Sequence, residues 1–71
     1  MNHPVGSHVV DTRSGRVGIV MGHVGPYVQL RPYGGGREWD ADPTAVRSAT
    51  PAERLSAATA YANARSRGEV P

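Results

Sequence analysis

Between residues 5 and 49 apolar side chains tend to recur at every second position, and glycine or proline keeps interrupting the run. Glycine destabilises a helix interior and proline breaks one. The alternation therefore reads as short, bent strands rather than helices. "VGSHVVD" (5–11) is a first strand, and "TRSG" (12–15) is turn chemistry with Gly15 suited to a left-handed position. "RVGIVMGH" (16–23) sets Val17, Ile19 and Met21 on one face and Gly18, Val20 and Gly22 on the other. Apolar residues on both faces mark a central strand, and its glycines permit a bend and close backbone approach. "VGP" (24–26) turns the chain into "YVQLRP" (27–32), with Val28 and Leu30 inward and Tyr27, Gln29 and Arg31 outward.

The stretch "RPYGGGREWDADP" (31–43) tests the pairing that follows. Trp39 is the only large apolar residue of "REWDA" (37–41) and is expected to face the core, with Glu38, Asp40 and Asp42 outward. A plain three-residue loop over Gly34, Gly35 and Gly36 sets Leu30 opposite Asp40 and mixes core with solvent. An even loop restores parity. A two-residue Gly34-Gly35 turn sets Leu30 against Trp39 and Arg31 against Glu38, and a four-residue loop sets Arg31 against Asp40. Either arginine–carboxylate neighbour contributes ~0.2–1 kcal/mol. A bulged three-residue loop also recovers the register, so loop length stays open. The glycines read as a turn and not as a phosphate cradle. Such cradles open a helix and carry a lysine or a spaced GxGxxG, both missing here.

"DADPTAVRSA" (40–49) continues with a tight helical turn at Pro43 and a short last strand that sends Val46 into the core. At Thr50 the composition changes to alanine-rich. "TPAERLSAATAYANARSRG" (50–68) carries Thr50 as N-cap, Pro51 at N1 and Glu53 at N3, a capping box. Arg65, Arg67 and Gly68 suit the C-terminal end. Leu55, Ala58, Thr59 and Ala62 share one narrow face bordered by Tyr61, and Leu55 is expected to anchor the helix. The expected organisation is a flexible 1–4, a five-stranded barrel over 5–49, a C-terminal helix over 50–67 and a flexible tail at 68–71.

The order of four meandering strands, one helical turn and a fifth strand resembles the SH3-like barrels of the KOW and Tudor type. The resemblance covers residues 5–49 and lies in "VGSHVVDTRSGRVGIVMGHVGPYVQLRP" and "GREWDADPTAVRSA". It implies a mainly β fold, a five-stranded SH3-like barrel followed by a C-terminal helix. KOW-like domains imply contact with RNA or with transcription and ribosomal partners, and this chain departs from them in having no lysine. Tudor-like domains imply an aromatic cage, for which one tryptophan and three tyrosines are thin material. The chain also resembles a family of short actinobacterial-type proteins, which implies no activity.

Seventy-one residues make one domain with a small core, and without cysteine no disulfide or thiolate site can brace it. The pI of 9.7 accompanies a net charge of only +2, because every basic residue is arginine. Residues 1–50 carry five arginines against four acids and residues 51–71 carry three against two, so no basic patch stands out. Arginine without lysine, among many alanines, glycines and prolines, also fits a high-GC codon bias. No basic region with an apolar run opens the chain and no stretch reaches membrane-span length. A cytoplasmic protein without membrane contact is expected.

His3, His8 and His23 form no metal-ligand spacing, Glu38, Asp40 and Asp42 lack a pocket that would tune an acid, and Ser7, Ser14 and Ser48 lack a partnering histidine. No enzyme and no cofactor are expected. One stripe suggests binding: Tyr27, Gln29, Arg31 and Tyr33 project from one side of a strand, with Arg13, Arg16 and Arg37 on nearby turns. Aromatics flanking an arginine can grip a peptide or stack on bases. The expected function is a small binding module for a protein partner, as an accessory or regulatory protein, through the tyrosine–arginine stripe, the helix, or both, with binding dependent on Tyr27, Tyr33 or Leu55. The alternative is a KOW-like module for RNA or DNA. Either is compatible with a monomer or a weak homodimer.

Overall fold

The structure is a computed structural model that describes residues 3–66 of the 71, with side chains as far as Asn63. Strands β1 (His8–Asp11), β2 (Arg16–Val24), β3 (Tyr27–Pro32), β4 (Trp39–Ala41) and β5 (Val46–Ser48) form one antiparallel sheet in the order β4-β3-β2-β1-β5. A 3₁₀ turn at Pro43–Ala45 joins β4 to β5, and helix α1 (Pro51–Ser66) follows. The fold is mainly β with one C-terminal helix. β4 and β5 are the two edges of the sheet, so its hydrogen-bond ladder is not closed into a barrel. The expected first strand is shorter than 5–11 because residues 5 and 6 turn instead, with the Ser7 N–H and hydroxyl donating to the Pro4 carbonyl. The tail at 68–71 lies outside the described residues.

Register explains the two faces. Val9 pairs with Gly18, Val20 with Leu30, Leu30 with Trp39 and Val28 with Ala41. Directly paired residues share a face. With Val46 opposite Asp11, these residues make the inner face. Val9, Val20, Val28, Leu30, Ala41 and Val46 are buried there, and Trp39 packs against them half-buried. Strand β2 is bulged between Val20 and Gly22, where the register shifts by one residue. A bulge sharpens bend and twist.

The glycine segment is a turn, as its position between two strands requires. Gly34, Gly35 and Gly36 all hold positive φ (85°, 101° and 115°). The register is that of an even loop, Leu30 against Trp39, yet the ladder stops at that pair and residues 33–38 form a longer loop. Arg31 and Glu38 therefore do not form the expected cross-strand neighbours. The β2–β3 turn is tight, Gly25-Pro26 between the paired Val24 and Tyr27, with Gly25 at φ 56°.

Around the 3₁₀ turn, Asp42 accepts from the Thr44 N–H at 2.9 Å and from its hydroxyl at 2.8 Å. These bonds, with Arg13 at 3.0 Å, hold the Asp42 carboxyl below its ordinary range. Thr12 donates its N–H and hydroxyl to the Ala45 carbonyl, tying the β1–β2 turn to this segment.

Candidate functional site

The outer face of the sheet is where α1 lies. His8, Ile19 and Arg31 form one cross-strand row there, since His8 pairs with Ile19 and Ile19 with Arg31. Val10, Val17 and Arg47 make the next row. The helix is placed on this face by its N-terminus. The Thr50 hydroxyl accepts from the Glu53 N–H at 3.1 Å, and Glu53 accepts in return from the Thr50 N–H at 2.9 Å. This is the capping box read from "TPAE". Glu53 also takes a two-pronged bond from Arg47 of β5, at 2.8 and 2.6 Å. Arg47 and the Thr50 N–H together pull the Glu53 carboxyl down to about 2, and Glu53 raises Arg47 above its ordinary value.

That bond sets the rotation of the helix. Glu53 turns toward β5, so Ala57 and Tyr61, four and eight residues on, face the sheet and are half-buried. Leu55 lies roughly 200° around the helix from Glu53. It is 70 % exposed and does not anchor α1 on the sheet. Of the rest of that expected face, Ala58 is half-buried, and Thr59 and Ala62 are exposed. The periodicity is weak because alanine suits either side, and the observed rotation is the one that joins Glu53 to Arg47 and lays Tyr61 on Gly34.

Tyr61 reaches the glycine loop. Its ring lies against Gly34 so closely that a Cβ there would overlap it. It also meets Tyr33 edge to face, with ring centroids 6.2 Å apart, and Tyr33 meets His8 at 6.0 Å on its other contact. Tyr33 thus sits under the helix, flanked by two rings.

Of the six proposed binding residues, Arg16 and Tyr33 line one groove beside the helix, and the other four are placed elsewhere. Tyr27 is half-exposed beside Val24 at the β2–β3 turn. Arg31 and Tyr33 face the helix side, Arg37 is exposed in the glycine loop, and Arg13 and Arg16 lie around the 3₁₀ turn and the core edge. Arg13 is bonded to Asp42, and Arg16 lies over the Trp39 ring, 4.0 Å from its centre. Arg31 enters no ion pair among the described residues, and its enclosed Nε has no hydrogen-bond partner.

Two grooves border α1. The larger, about 520 Å³ and open to solvent, runs between Val10 and Val17 of the sheet and Ser56, Ala57 and Ala60 of the helix, with Tyr33 and Tyr61 at one end. The smaller, about 310 Å³, lies on the other side of Tyr33, among His8, Pro51, Arg54 and Leu55. The sequence offers the helix and Leu55 as a partner surface, but not Ser56, Ala57 and Ala60, because small alanines on a helix signal packing rather than a gap. Exposed Leu55 beside Arg54 was the available sign.

A second cluster is structural. Asp11, only 6 % exposed, accepts from Trp39 Nε1 at 2.9 Å and from the Arg13 N–H at 3.0 Å. Each carboxylate oxygen has a donor, which is what a buried charge needs. His8 and His23 are not neighbours, since His8 pairs with Ile19 and His23 with Val28. No helix among the described residues is long and apolar enough to cross a membrane. Comparison with protein-family models, curated proteins and solved structures gave no match.

Proposed function

We propose that this protein is a small non-enzymatic binding module that holds a protein partner along the edges of α1, in an accessory or regulatory role. The observation that carries this reading is the seating of the helix. Among the described side chains, Glu53 bonds to β5 and Tyr61 meets the glycine loop while alanines line the space between, leaving an open groove on each side of Tyr33 and Leu55 exposed beside one of them. Concave, partly apolar surfaces rimmed by arginine and aromatics are the composition of protein interfaces. The strand order, with a 3₁₀ turn between β4 and β5, supports an SH3-like arrangement whose barrel is left open. Such folds serve as platforms, and the site rather than the fold carries the function.

KOW-like binding of RNA or DNA is the second reading. Arg31, Arg37 and Arg54 favour it, as arginines outside the Arg13–Asp42 and Arg47–Glu53 pairs. Against it, Arg13 and Arg16 are held by Asp42 and Trp39. Affinity capture with tagged protein at moderate salt separates the two. A retained protein, lost with Leu55→Asp and kept with Arg37→Ala, fits the first. Retained nucleic acid that falls away steeply with salt and with Arg37→Ala fits the second.

A further inference from the structure

We propose that the smaller groove takes an acidic, aliphatic segment of a partner protein: a carboxylate beside Arg54 and an apolar side chain against Leu55 and Pro51. This deepens the protein-binding reading and rests on it. The charge arrangement carries the inference. The groove is lined by His8, Tyr33, Pro51, Arg54 and Leu55, with no acidic residue among them. The neighbouring acid, Glu53, is bonded to Arg47 and turned toward β5. Arg31 stands in the same cross-strand row as His8, and no described acid neutralises it.

A guanidinium beside an imidazole and an exposed leucine is complementary to a carboxylate beside an aliphatic group. Leu55, at 70 % exposure, and Pro51 supply the apolar wall such a segment buries. A nucleic-acid strand fits this place less well. Its bases need a free aromatic face, and the Tyr33 ring is already flanked by His8 and Tyr61.

The test is an NMR titration of the isotope-labelled full chain with three probes. They are a blocked octapeptide of alternating glutamate and leucine, its glutamine counterpart, and an octamer of uridine. Shifts clustered on His8, Tyr33, Arg54 and Leu55 with the acidic peptide are expected. Glutamine in place of glutamate, or Arg54→Gln in the protein, should weaken binding about tenfold. Leu55→Ser should weaken it as well, while the dispersed spectrum shows the fold intact. Equal binding of the glutamine peptide in this groove overturns the acidic class and leaves the binding-module reading standing. No shifts with either peptide overturn the proposed groove, and partner capture then judges the broader reading by itself. Binding of the uridine octamer to these residues more tightly than the acidic peptide overturns both.

Discussion

Gly34 and Tyr61 touch so closely that no side chain fits at Gly34: an added Cβ would overlap the Tyr61 ring. The loop between β3 and β4 is thereby the seat of the C-terminal helix. Its glycines serve two physical needs, positive φ at 85° and a surface flat enough for a tyrosine.

Gly34→Ala should therefore be destabilising twice over, through backbone strain at positive φ and through displacement of Tyr61. The total is ~1–3 kcal/mol in urea unfolding. In a Tyr61→Ala background the same change should cost only its backbone part, ~1 kcal/mol. If the double variant is as unstable as the sum of the singles, the contact does not hold the helix.

Trp39 and Asp11 should be coupled in the same way. Trp39→Phe keeps the ring over the core but removes the donor to a carboxylate that is 6 % exposed. A loss of ~1–3 kcal/mol is expected. Arg16→Gln, which removes only the cation over the ring, should cost less, ~0.5–1 kcal/mol. Equal losses would contradict this ranking.

Gly18 is the third tight place. A Cβ there would stand 2.9 Å from Trp39 Cη2 and 3.2 Å from the Arg31 carbonyl oxygen. Gly18→Ala should push the indole outward, cost ~1–3 kcal/mol, and shift the tryptophan emission to longer wavelength. An unchanged emission would show that the ring is not held there.

The helix start should respond to acid. The Glu53 carboxyl is lowered from 4.5 to about 2 by Arg47 and the Thr50 N–H. A lowered folded-state value means that this stabilisation is fully present above pH 4.5 and is lost as pH falls through about 2. Asp42, also lowered, acts in the same direction at the 3₁₀ turn. Circular dichroism across this range should show helix signal declining with acid, and Glu53→Gln should remove much of the response. A flat acid profile in the unmodified chain would contradict the cap and ion pair.

Leu55→Ser should leave stability within about ±0.5 kcal/mol, because the side chain is mostly in water. A large loss of stability would return Leu55 to the packing role the sequence suggests.

Most strands, their glycine turns and the capping box were legible because each depends on local chemistry. Parity asked for an even loop and left Leu30 against Trp39 as one of the open registers, which is the one observed. Loop length was not, since the strand ends where Tyr33 leaves to meet His8 and Tyr61. The face of α1 was misread because alanine marks no side, and the contacts that seat the helix, Arg47–Glu53 and Gly34–Tyr61, join different elements. The placement of the proposed stripe was only half legible. Alternation placed Tyr27, Arg31 and Tyr33 on the outer side, but not the helix over Tyr33. Nor did the sequence pair Arg13 with Asp42 or Arg16 with Trp39. Closure of the sheet depends on how far the edges curl, and the strand pattern does not encode that.

The most direct measurement is a titration of labelled protein with mixed short RNA and DNA, at low and at higher salt. A protein-binding module with its Tyr33 already flanked predicts no clustered shifts that survive beyond weak, diffuse effects at low salt. Shifts clustered on Arg31, Tyr33 and Arg37 that fade as salt rises would contradict it and establish a nucleic-acid surface.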